Sequence, residues 1–429
     1  MKIVITTVGT RGDLQPYIAL ALGLQKADYD VLLVSAKNEE SFVKSFGLNF
    51  FALSVDIQEI MEGDEGQQMA KGDNPIKFIT GHLKGSKNLK KLMIKTQDEI
   101  WNACQDADAI IFHPGMPIGY FIAKELRKVS IMASPFPIIA TKNYPSILFY
   151  NGPRLGKLYN LFTHVVLEKL FWTLSKSAIK NFWGSSVKST INLSVSPIRQ
   201  QVKTGMPVIN GYSELLFSRP VEWPSNIHIT GSWMITNEPA FTPPAELIHF
   251  ISQGKPPVFI GFGSMKDTSK FKKTFSIISN AIMLANQRAI VATGWNKLPA
   301  DEPLPNNIFL IDNVPHTWLF PQMCSVVHHG GAGTTAAGLT AGKPTIIIPF
   351  NADQPAWGKR VFELGVGAKP INRNKLTAEK LAEAILYALH TDIITKAKLL
   401  GEKLQKENGV ANAVMIIDDF LKQKMTQVL

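Results

Sequence analysis

The chain has 429 residues, 45% of them hydrophobic and 18% charged, and its formal net charge is +11. This length is too great for a single hydrophobic core and predicts two domains, while the composition excludes a disordered chain and a bundle of membrane helices. Lysine-rich runs such as 84–91 carry part of the positive charge, but no zinc-ligand spacing or RNA-binding motif accompanies them, so we expect no nucleic-acid partner. Solvated helix faces, or a surface that touches anionic lipid headgroups, explain these lysines instead.

The first half of the chain alternates short apolar runs with helical patterns. Strands are predicted at 2–8, 30–35, 109–112 and 130–133, and helices at 14–26 and 119–127. The chain starts directly with a strand pattern and lacks the apolar run of a signal peptide, which predicts a cytoplasmic location. Two regions break the alternation: 56–74 is polar and glycine-rich and predicts a loop, whereas 144–183 is aromatic and aliphatic. The second region fits either ordinary core packing or a wall for an apolar acceptor, with membrane contact.

The second half repeats the alternation. Strands are predicted at 257–261, 288–292, 308–311, 325–329 and 345–349, and helices at 270–285, 357–364 and 411–429. Short apolar strands that alternate with helices are typical of parallel sheets built from βαβ units, so each half predicts an α/β, Rossmann-like domain. Prolines in 233–244 place the boundary between them. We therefore expect domains at 1–234 and 235–410, with the helix 411–429 packing back across both.

The loop after the first strand reads Val8-Gly9-Thr10-Arg11-Gly12-Asp13-Leu14-Gln15-Pro16. It lacks the G-x-G-x-x-G spacing of dinucleotide-binding proteins, which disfavours a hydride-transfer enzyme. Asp13 is either the N-cap of the following helix or a carboxylate that faces a ligand at the carboxyl end of the sheet. His113 also ends a predicted strand. It is either a loop histidine whose ring is hydrogen-bonded to nearby groups, or a residue that assists the carboxylate of Asp13.

The most informative motif is the run His328-His329-Gly330-Gly331-Ala332-Gly333-Thr334-Thr335, which ends a strand pattern and opens a helical one. Its glycines let backbone amides approach a ligand closely, and the free N–H groups and dipole of the helix attract an anion. Such a site suits a diphosphate. The next strand leads to Asp353 and Gln354, a carboxylate and an amide that can bind vicinal hydroxyls. Diphosphate and polyol together indicate a nucleotide sugar.

Three segments together resemble the donor-binding signature of the nucleotide-sugar glycosyltransferases of family GT1, which have the GT-B fold. They are 313–321, 328–335 and 349–354, and the loops 9–16 and 261–264 resemble two further loops of that family. Within the family, the chain most resembles sterol glucosyltransferases and bacterial antibiotic and natural-product glycosyltransferases. The resemblance implies two Rossmann-like domains whose parallel sheets face each other across a cleft. The N-terminal domain would then bind the acceptor and the C-terminal domain the donor.

The resemblance also implies roles for single residues. Val314 would meet the nucleotide base through its backbone, and His316 would lie near the ribose or phosphate. Trp295 would either stack on the base or be a packed surface indole. His328 would contact the diphosphate, while His329 is expected to be only its structural neighbour. The other donor-binding residues expected are Gly12, Ser264, Gly331, Ala332, Gly333, Thr334 and Thr335, with Asp353 and Gln354 on the sugar hydroxyls.

The implied reaction is a single displacement that inverts the anomeric centre and gives a β-glycoside. Asp13 is the expected base for the acceptor hydroxyl, with His113 as its assistant; plant relatives carry histidine where this chain has Asp13. Helix-end amides and His328 would stabilise the leaving diphosphate, so no metal or other cofactor is expected. The donor would be a UDP-sugar or dTDP-sugar carrying a hexose such as glucose. The acceptor would be a hydrophobic alcohol or phenol, such as a sterol, polyketide or flavonoid, with peripheral membrane contact.

Two other functions stay open at this point. An epimerase or hydrolase of nucleotide sugars would consume the donor without an acceptor, although the apolar region 144–183 argues against it. A lipid-surface binding protein with a vestigial donor site would bind liposomes but not nucleotides.

Overall fold

The computed structural model of the chain describes residues 1–62, 86–187, 191–236, 241–262, 268–294, 304–312 and 314–426. These residues form two compact units, one made of 1–235 with the C-terminal segment from Glu407, and the other of 236–406. The division after Ile235 lies inside the proline-containing segment that predicts a boundary. The C-terminal segment belongs to the first unit.

The first unit is built on a seven-stranded parallel sheet with the order β3-β2-β1-β4-β5-β6-β7. Its strands are Lys2–Thr6 (β1), Asp30–Ala36 (β2), Asn49–Leu53 (β3), Ala109–Phe112 (β4), Val129–Ser134 (β5), Val208–Asn210 (β6) and Ile227–Ile229 (β7). The central strands are almost wholly apolar because helices cover both faces of the sheet. Side chains therefore alternate between two cores: Val4 and Ile110 point to one, Ile5 and Ile111 to the other.

Helices Arg11–Lys26 (α1), Glu40–Lys44 (α2), Ile57–Glu62 (α3), Ser86–Ala103 (α4), Ile118–Glu125 (α5), Lys157–Phe182 (α6) and Pro197–Lys203 (α7) connect these strands. Two features differ from the sequence predictions. The strands β3, β6 and β7 were not predicted, since β6 and β7 have only three residues each and β3 is a partly exposed edge strand. The predicted loop at 56–74 begins instead with α3, and its remainder from 63 lies outside the described residues.

The second unit contains a five-stranded parallel sheet with the order β10-β9-β8-β11-β12. Its strands are Val258–Gly261 (β8), Ala289–Ala292 (β9), Ile308–Ile311 (β10), Ser325–His328 (β11) and Thr345–Ile347 (β12). The helices are Ala245–Ser252 (α8), Thr268–Leu284 (α9), His316–Leu319 (α10), Ala332–Thr340 (α11), Gln354–Glu363 (α12), Ala378–Ala388 (α13) and Thr391–Leu404 (α14). The predicted α/β class with two parallel sheets is confirmed.

The last helix, Gly409–Thr426 (α15), packs on the first unit. Its buried side chains, Ala413, Ile417 and Leu421, join the core that contains Leu14 of α1. The long helix α6 contributes Ile179 and Phe182 to the other core, so α6 and α15 cover opposite faces of the first sheet. None of the helices in the described ranges is both long and apolar enough to span a membrane.

Candidate active site

Asp13 lies in the first turn of α1, directly after the carboxyl end of β1. Thr10 occupies the N-cap position, so the alternative in which Asp13 is the N-cap is wrong. Both the backbone N–H (2.8 Å) and the hydroxyl (3.1 Å) of Thr10 donate to Oδ2 of Asp13. The other oxygen, Oδ1, has no hydrogen-bond partner among the residues that the structure describes. Asp13 therefore presents one oriented, unengaged carboxylate oxygen.

The backbone and the surrounding protein both shape this carboxylate. Gly9 has a φ of 138°, and a Cβ at that position would stand 2.4 Å from Oδ2 of Asp13, so only glycine allows the turn. Desolvation by the surrounding protein raises the pKa of Asp13, while the bonds from Thr10 lower it, and the result is a raised pKa. The side chain is nevertheless solvent-accessible. A carboxylate with a raised pKa and an accessible oxygen has the properties of a general base.

His113 follows β4, the strand next to β1, and its imidazole is buried. Its Nδ1 accepts the backbone N–H of Gly115 at 2.8 Å, which places the ring proton on Nε2. Burial lowers its pKa to about 4, so the ring is neutral near pH 7. With Nδ1 engaged, His113 can donate a hydrogen bond from Nε2 but has no free lone pair with which to take a proton.

Tyr17 was not predicted as a site residue, and it contacts His113 from the helix that carries Asp13. It is one helical turn after Asp13 on α1, and its hydroxyl donates to the carbonyl of Ala133 at 2.6 Å. Its ring packs edge-on against His113, with 5.8 Å between centroids, and Phe136 packs edge-on against His113 at 5.7 Å. Burial first, and then the charge of Asp13, raise the pKa of Tyr17. The spacing of four residues from Asp13 was the available signal.

The second unit has its own group of predicted site residues, at the amino end of α11. Gly331 is the N-cap, no side chain caps the helix, and no acidic residue lies in its first turn. The residues Gly331, Ala332, Gly333 and Thr334 are all partly accessible. Gly330 has a φ of 96°, and a Cβ there would meet Ile347 at 2.7 Å, so the turn into the helix requires glycine. The open N–H groups of this turn suit a diphosphate.

Two residues predicted at the diphosphate, Thr335 and His328, are buried, and Nε2 of His328 has no hydrogen-bond partner among the described residues. The hydroxyl of Thr335 donates to the carbonyl of Gly331 at 2.8 Å, and the residue is fully buried. His328 is also fully buried, and its Nδ1 accepts the N–H of Gly330 at 2.9 Å. Desolvation, followed by the charges of His329 and His316, holds the pKa of His328 well below its usual range. Because His328 is the last residue of a strand covered on both faces, its ring packs inside the unit.

His329, expected only as a structural neighbour, is the more accessible histidine. It is half-buried, and its Nε2 lies 2.7 Å from where a Cβ on Gly331 would stand. Its ring is therefore beside the amino end of α11, and burial lowers its pKa to about 4. The predicted strand extended one residue too far, to 329, and this single residue decides which histidine faces the open turn.

Asp353 and Gln354 lie where α12 begins. Oδ2 of Asp353 accepts the indole N–H of Trp357 at 2.7 Å. Oε1 of Gln354 accepts the N–H groups of Phe350 (2.7 Å) and Asn351 (3.2 Å), so only its amide NH2 could donate to a sugar. Asp353 is half-buried and Gln354 is buried, which makes the carboxylate the more accessible of the two. The preceding Ala352 has a φ of 51°.

The remaining predicted residues fall into three groups. Val314 and His316 are partly accessible at the start of α10, and the ring of His316 stacks on Phe320 with 4.3 Å between centroids. Gly12 is exposed in the first turn of α1, in the first unit rather than the second. Ser264 and Trp295 lie outside the described residues. The structure thus groups Asp13 with His113 in the first unit and gathers the other described donor residues in the second.

The region 144–183 matches the expectation of core packing only in part. Tyr150, Phe182 and Trp183 are buried, as core packing requires. Leu158 and Phe162, on the first two turns of α6, are exposed. These exposed side chains belong to neither the core nor an enclosed wall.

Comparison with known proteins finds glycosyltransferases. The model of the glycosyltransferase family 28 N-terminal domain matches residues 3–145, and that of the erythromycin biosynthesis protein CIII-like C-terminal domain matches residues 280–408. The chain is 33% identical over 432 residues to the sterol 3-beta-glucosyltransferase of Aspergillus oryzae, covering 97% of the chain and 30% of that relative. It therefore spans about 30% of the length of the curated relatives it matches.

Solved structures share the fold over almost the whole chain. The glycotransferase of kitacinnamycin has a TM-score of 0.69 at 17% identity, with 98% of this chain and 99% of that chain covered. The Streptomyces sp. SF2575 glycosyltransferase complexed with thymidine diphosphate has a TM-score of 0.64 at 16% identity, with coverages of 98% and 99%. At these identities the likeness establishes the architecture.

Proposed function

We propose that the chain, which has the fold of the GT-B glycosyltransferases it resembles, transfers a hexose from a nucleoside-diphosphate sugar to a hydrophobic alcohol. A sterol is the first acceptor to test, because the curated relatives are sterol 3-beta-glucosyltransferases. UDP-glucose and dTDP-glucose are the donors to test. The relatives are named as glucosyltransferases, and one structural neighbour is complexed with thymidine diphosphate.

The strongest support for this proposal is the uncapped amino end of α11. A nine-residue helix follows the carboxyl end of β11 through a glycine turn, and its first-turn N–H groups lack a capping side chain. In the proposed complex these N–H groups bind the diphosphate, and His329, beside Gly331, replaces His328 as the histidine in contact with it. The same groups stabilise the negative charge that grows on the diphosphate as the sugar leaves. We propose that this electrostatic stabilisation operates without a divalent metal.

Asp13 supplies the base in this proposal. Its free Oδ1 accepts the proton of the acceptor hydroxyl as that oxygen attacks the anomeric carbon, and the bond between the sugar and the diphosphate breaks. The raised pKa makes Asp13 a stronger base than an ordinary aspartate. His113 acts as a hydrogen-bond donor through Nε2 and not as a second base. One displacement inverts the anomeric centre, so the product is a β-glycoside.

The direct test is transfer by the purified chain from isotopically labelled UDP-glucose or dTDP-glucose to ergosterol or cholesterol held in detergent micelles. Mass spectrometry should detect a sterol hexoside, and the coupling of its anomeric proton in NMR should report the β configuration. Release of free glucose at the same rate with and without sterol would contradict the proposal and support a donor hydrolase. Binding of neither nucleotide would contradict the donor site itself.

A further inference from the structure

The first two turns of α6 reverse the usual arrangement of a surface helix. Leu158 is 82% exposed and Phe162 63% exposed, and Leu155 just before the helix is 66% exposed. On the opposite side of the same turns, Asn160, Thr163 and His164 are buried. A helix that covers a core normally turns its apolar side chains inward and its polar side chains to solvent.

Hydrogen bonds hold the polar side inward. Nδ2 of Asn160 donates to the carbonyl of Lys142 at 2.9 Å, and the hydroxyl of Thr163 accepts the N–H of Ser146 at 2.8 Å. Nε2 of His164 lies 3.1 Å from the carbonyl of Tyr144. Rotation of the helix to bury Leu158 and Phe162 would break all three bonds inside the protein. The apolar exposure is therefore built into the fold.

Lysines continue the same face toward the carboxyl end of the helix. Lys169, Lys176 and Lys180 follow Leu158 and Phe162 at helical spacing, and all three are exposed. From Leu158 to Lys180 this face extends about 33 Å at about 1.5 Å per residue. The acidic residue of α6, Glu168, is turned away, because the hydroxyl of Ser196 and the guanidinium of Arg199 (2.9 Å) bind its carboxylate. We call these six residues, 155, 158, 162, 169, 176 and 180, the α6 face.

We propose that the α6 face docks the protein on an anionic phospholipid bilayer. Leu155, Leu158 and Phe162 enter the boundary between headgroups and acyl chains, and the three lysines lie along the phosphates. A second copy of the chain fits this face poorly, since pairing two such faces leaves lysines against lysines or against apolar side chains. The inference rests on the contacts and charges of α6 and does not require sugar transfer.

The test is co-sedimentation of the full chain with vesicles of phosphatidylcholine, with and without phosphatidylserine, in the absence of nucleotide and sterol. We expect binding to the vesicles that contain phosphatidylserine, with an affinity that falls as salt is added. Leu158→Ser with Phe162→Ser should weaken it by at least about tenfold. Gln at Lys169, Lys176 and Lys180 together should weaken it on the order of a hundredfold, about fivefold for each lysine.

Matched controls come from elsewhere on the chain. Met415→Ser removes a side chain that is 57% exposed on α15, which covers the opposite face of the first sheet. Gln at Lys398, Lys403 and Lys406 removes the same charge from exposed positions in the second unit. Both controls should bind vesicles like the unaltered chain.

Three results would overturn the proposal: no binding to either vesicle, equal losses in the controls, or a dimer in sedimentation velocity that Leu158→Ser with Phe162→Ser dissociates. Because no substrate is present, failure of the proposed sugar transfer leaves this test unaffected. Thermal melting of each variant establishes that it is folded.

Discussion

Two turns, one in each unit, share the same histidine contact, but the helix ends beside them differ in charge. His113 after β4 and His328 at the end of β11 are both buried, and in each the Nδ1 accepts the N–H of the glycine two residues later. The neighbouring helix starts differ, since α1 carries Asp13 in its first turn and α11 carries no acid there. The amino end of α1 thus carries a carboxylate of the protein itself, whereas the amino end of α11 is suited to bind an anionic ligand. A helix that follows a parallel strand therefore carries the proposed base in the first unit, after β1, and the proposed diphosphate site in the second unit, after β11.

Replacing the base should have the largest effect. Asp13→Asn keeps an oxygen that can accept the bonds from Thr10, so the fold of the turn is preserved, but the amide cannot take a proton. We expect the rate of sugar transfer to fall by about 10²- to 10⁴-fold while the nucleotide dissociation constant stays the same. Initial rates and titration calorimetry measure the two quantities. Transfer at an unaltered rate would remove Asp13 as the base.

Adding a carboxylate to the first turn of α11 should have the next largest effect. Thr334 is the third residue of α11, as Asp13 is of α1, so Thr334→Asp gives α11 the charge of α1. Repulsion should weaken UDP binding by about 10- to 100-fold, although the acid should stabilise the helix end by about 0.3–1 kcal/mol. Calorimetry and chemical denaturation separate these opposite effects. Thr334→Asn is the neutral control, and an equal loss of affinity in it would argue for shape rather than charge.

The two adjacent histidines should respond differently. His329→Ala should weaken nucleotide binding by about tenfold and leave the free energy of unfolding almost unchanged. His328→Ala should lower the free energy of unfolding by about 1–3 kcal/mol, because it leaves the N–H of Gly330 without its partner. Denaturation and calorimetry on both variants provide the comparison. The reverse pattern would return the diphosphate contact to His328.

Acid should destabilise the chain through the buried histidines. The pKa of His113 is about 4 in the folded protein and near 6.5 when unfolded. Between these values the unfolded chain takes up a proton that the folded chain does not, so the free energy of unfolding falls as the pH falls from 6.5 toward 4. His113→Gln, whose amide oxygen can accept the N–H of Gly115, should reduce this pH dependence. An unchanged slope in denaturation curves would contradict the neutral form of His113.

Much of this arrangement could be predicted from the sequence, and the misses have physical causes. The strand at 109–112 matches β4 because a continuous apolar run defines a strand buried on both faces. Thr10 and Asp13 have the spacing of a capping box, which was a signal that Asp13 is not the N-cap. The two histidines could not be told apart, because a strand end that is wrong by one residue exchanges a buried ring for an accessible one. The role of Thr335 was missed because a helical threonine can donate to the carbonyl four residues earlier.

The division of labour between the two helix ends is tested most directly by nucleotide-dependent melting of three proteins: the unaltered chain, Asp13→Asn and Thr334→Asp. UDP or dTDP at about 100 times its dissociation constant adds about 2.7 kcal/mol to the stability of a binding protein. We expect this stabilisation in the unaltered chain and in Asp13→Asn, and a fall to about 0.4–1.4 kcal/mol in Thr334→Asp at the same nucleotide concentration, because binding there is about 10- to 100-fold weaker. Loss in Asp13→Asn with retention in Thr334→Asp, or no stabilisation of the unaltered chain, would contradict this division of labour.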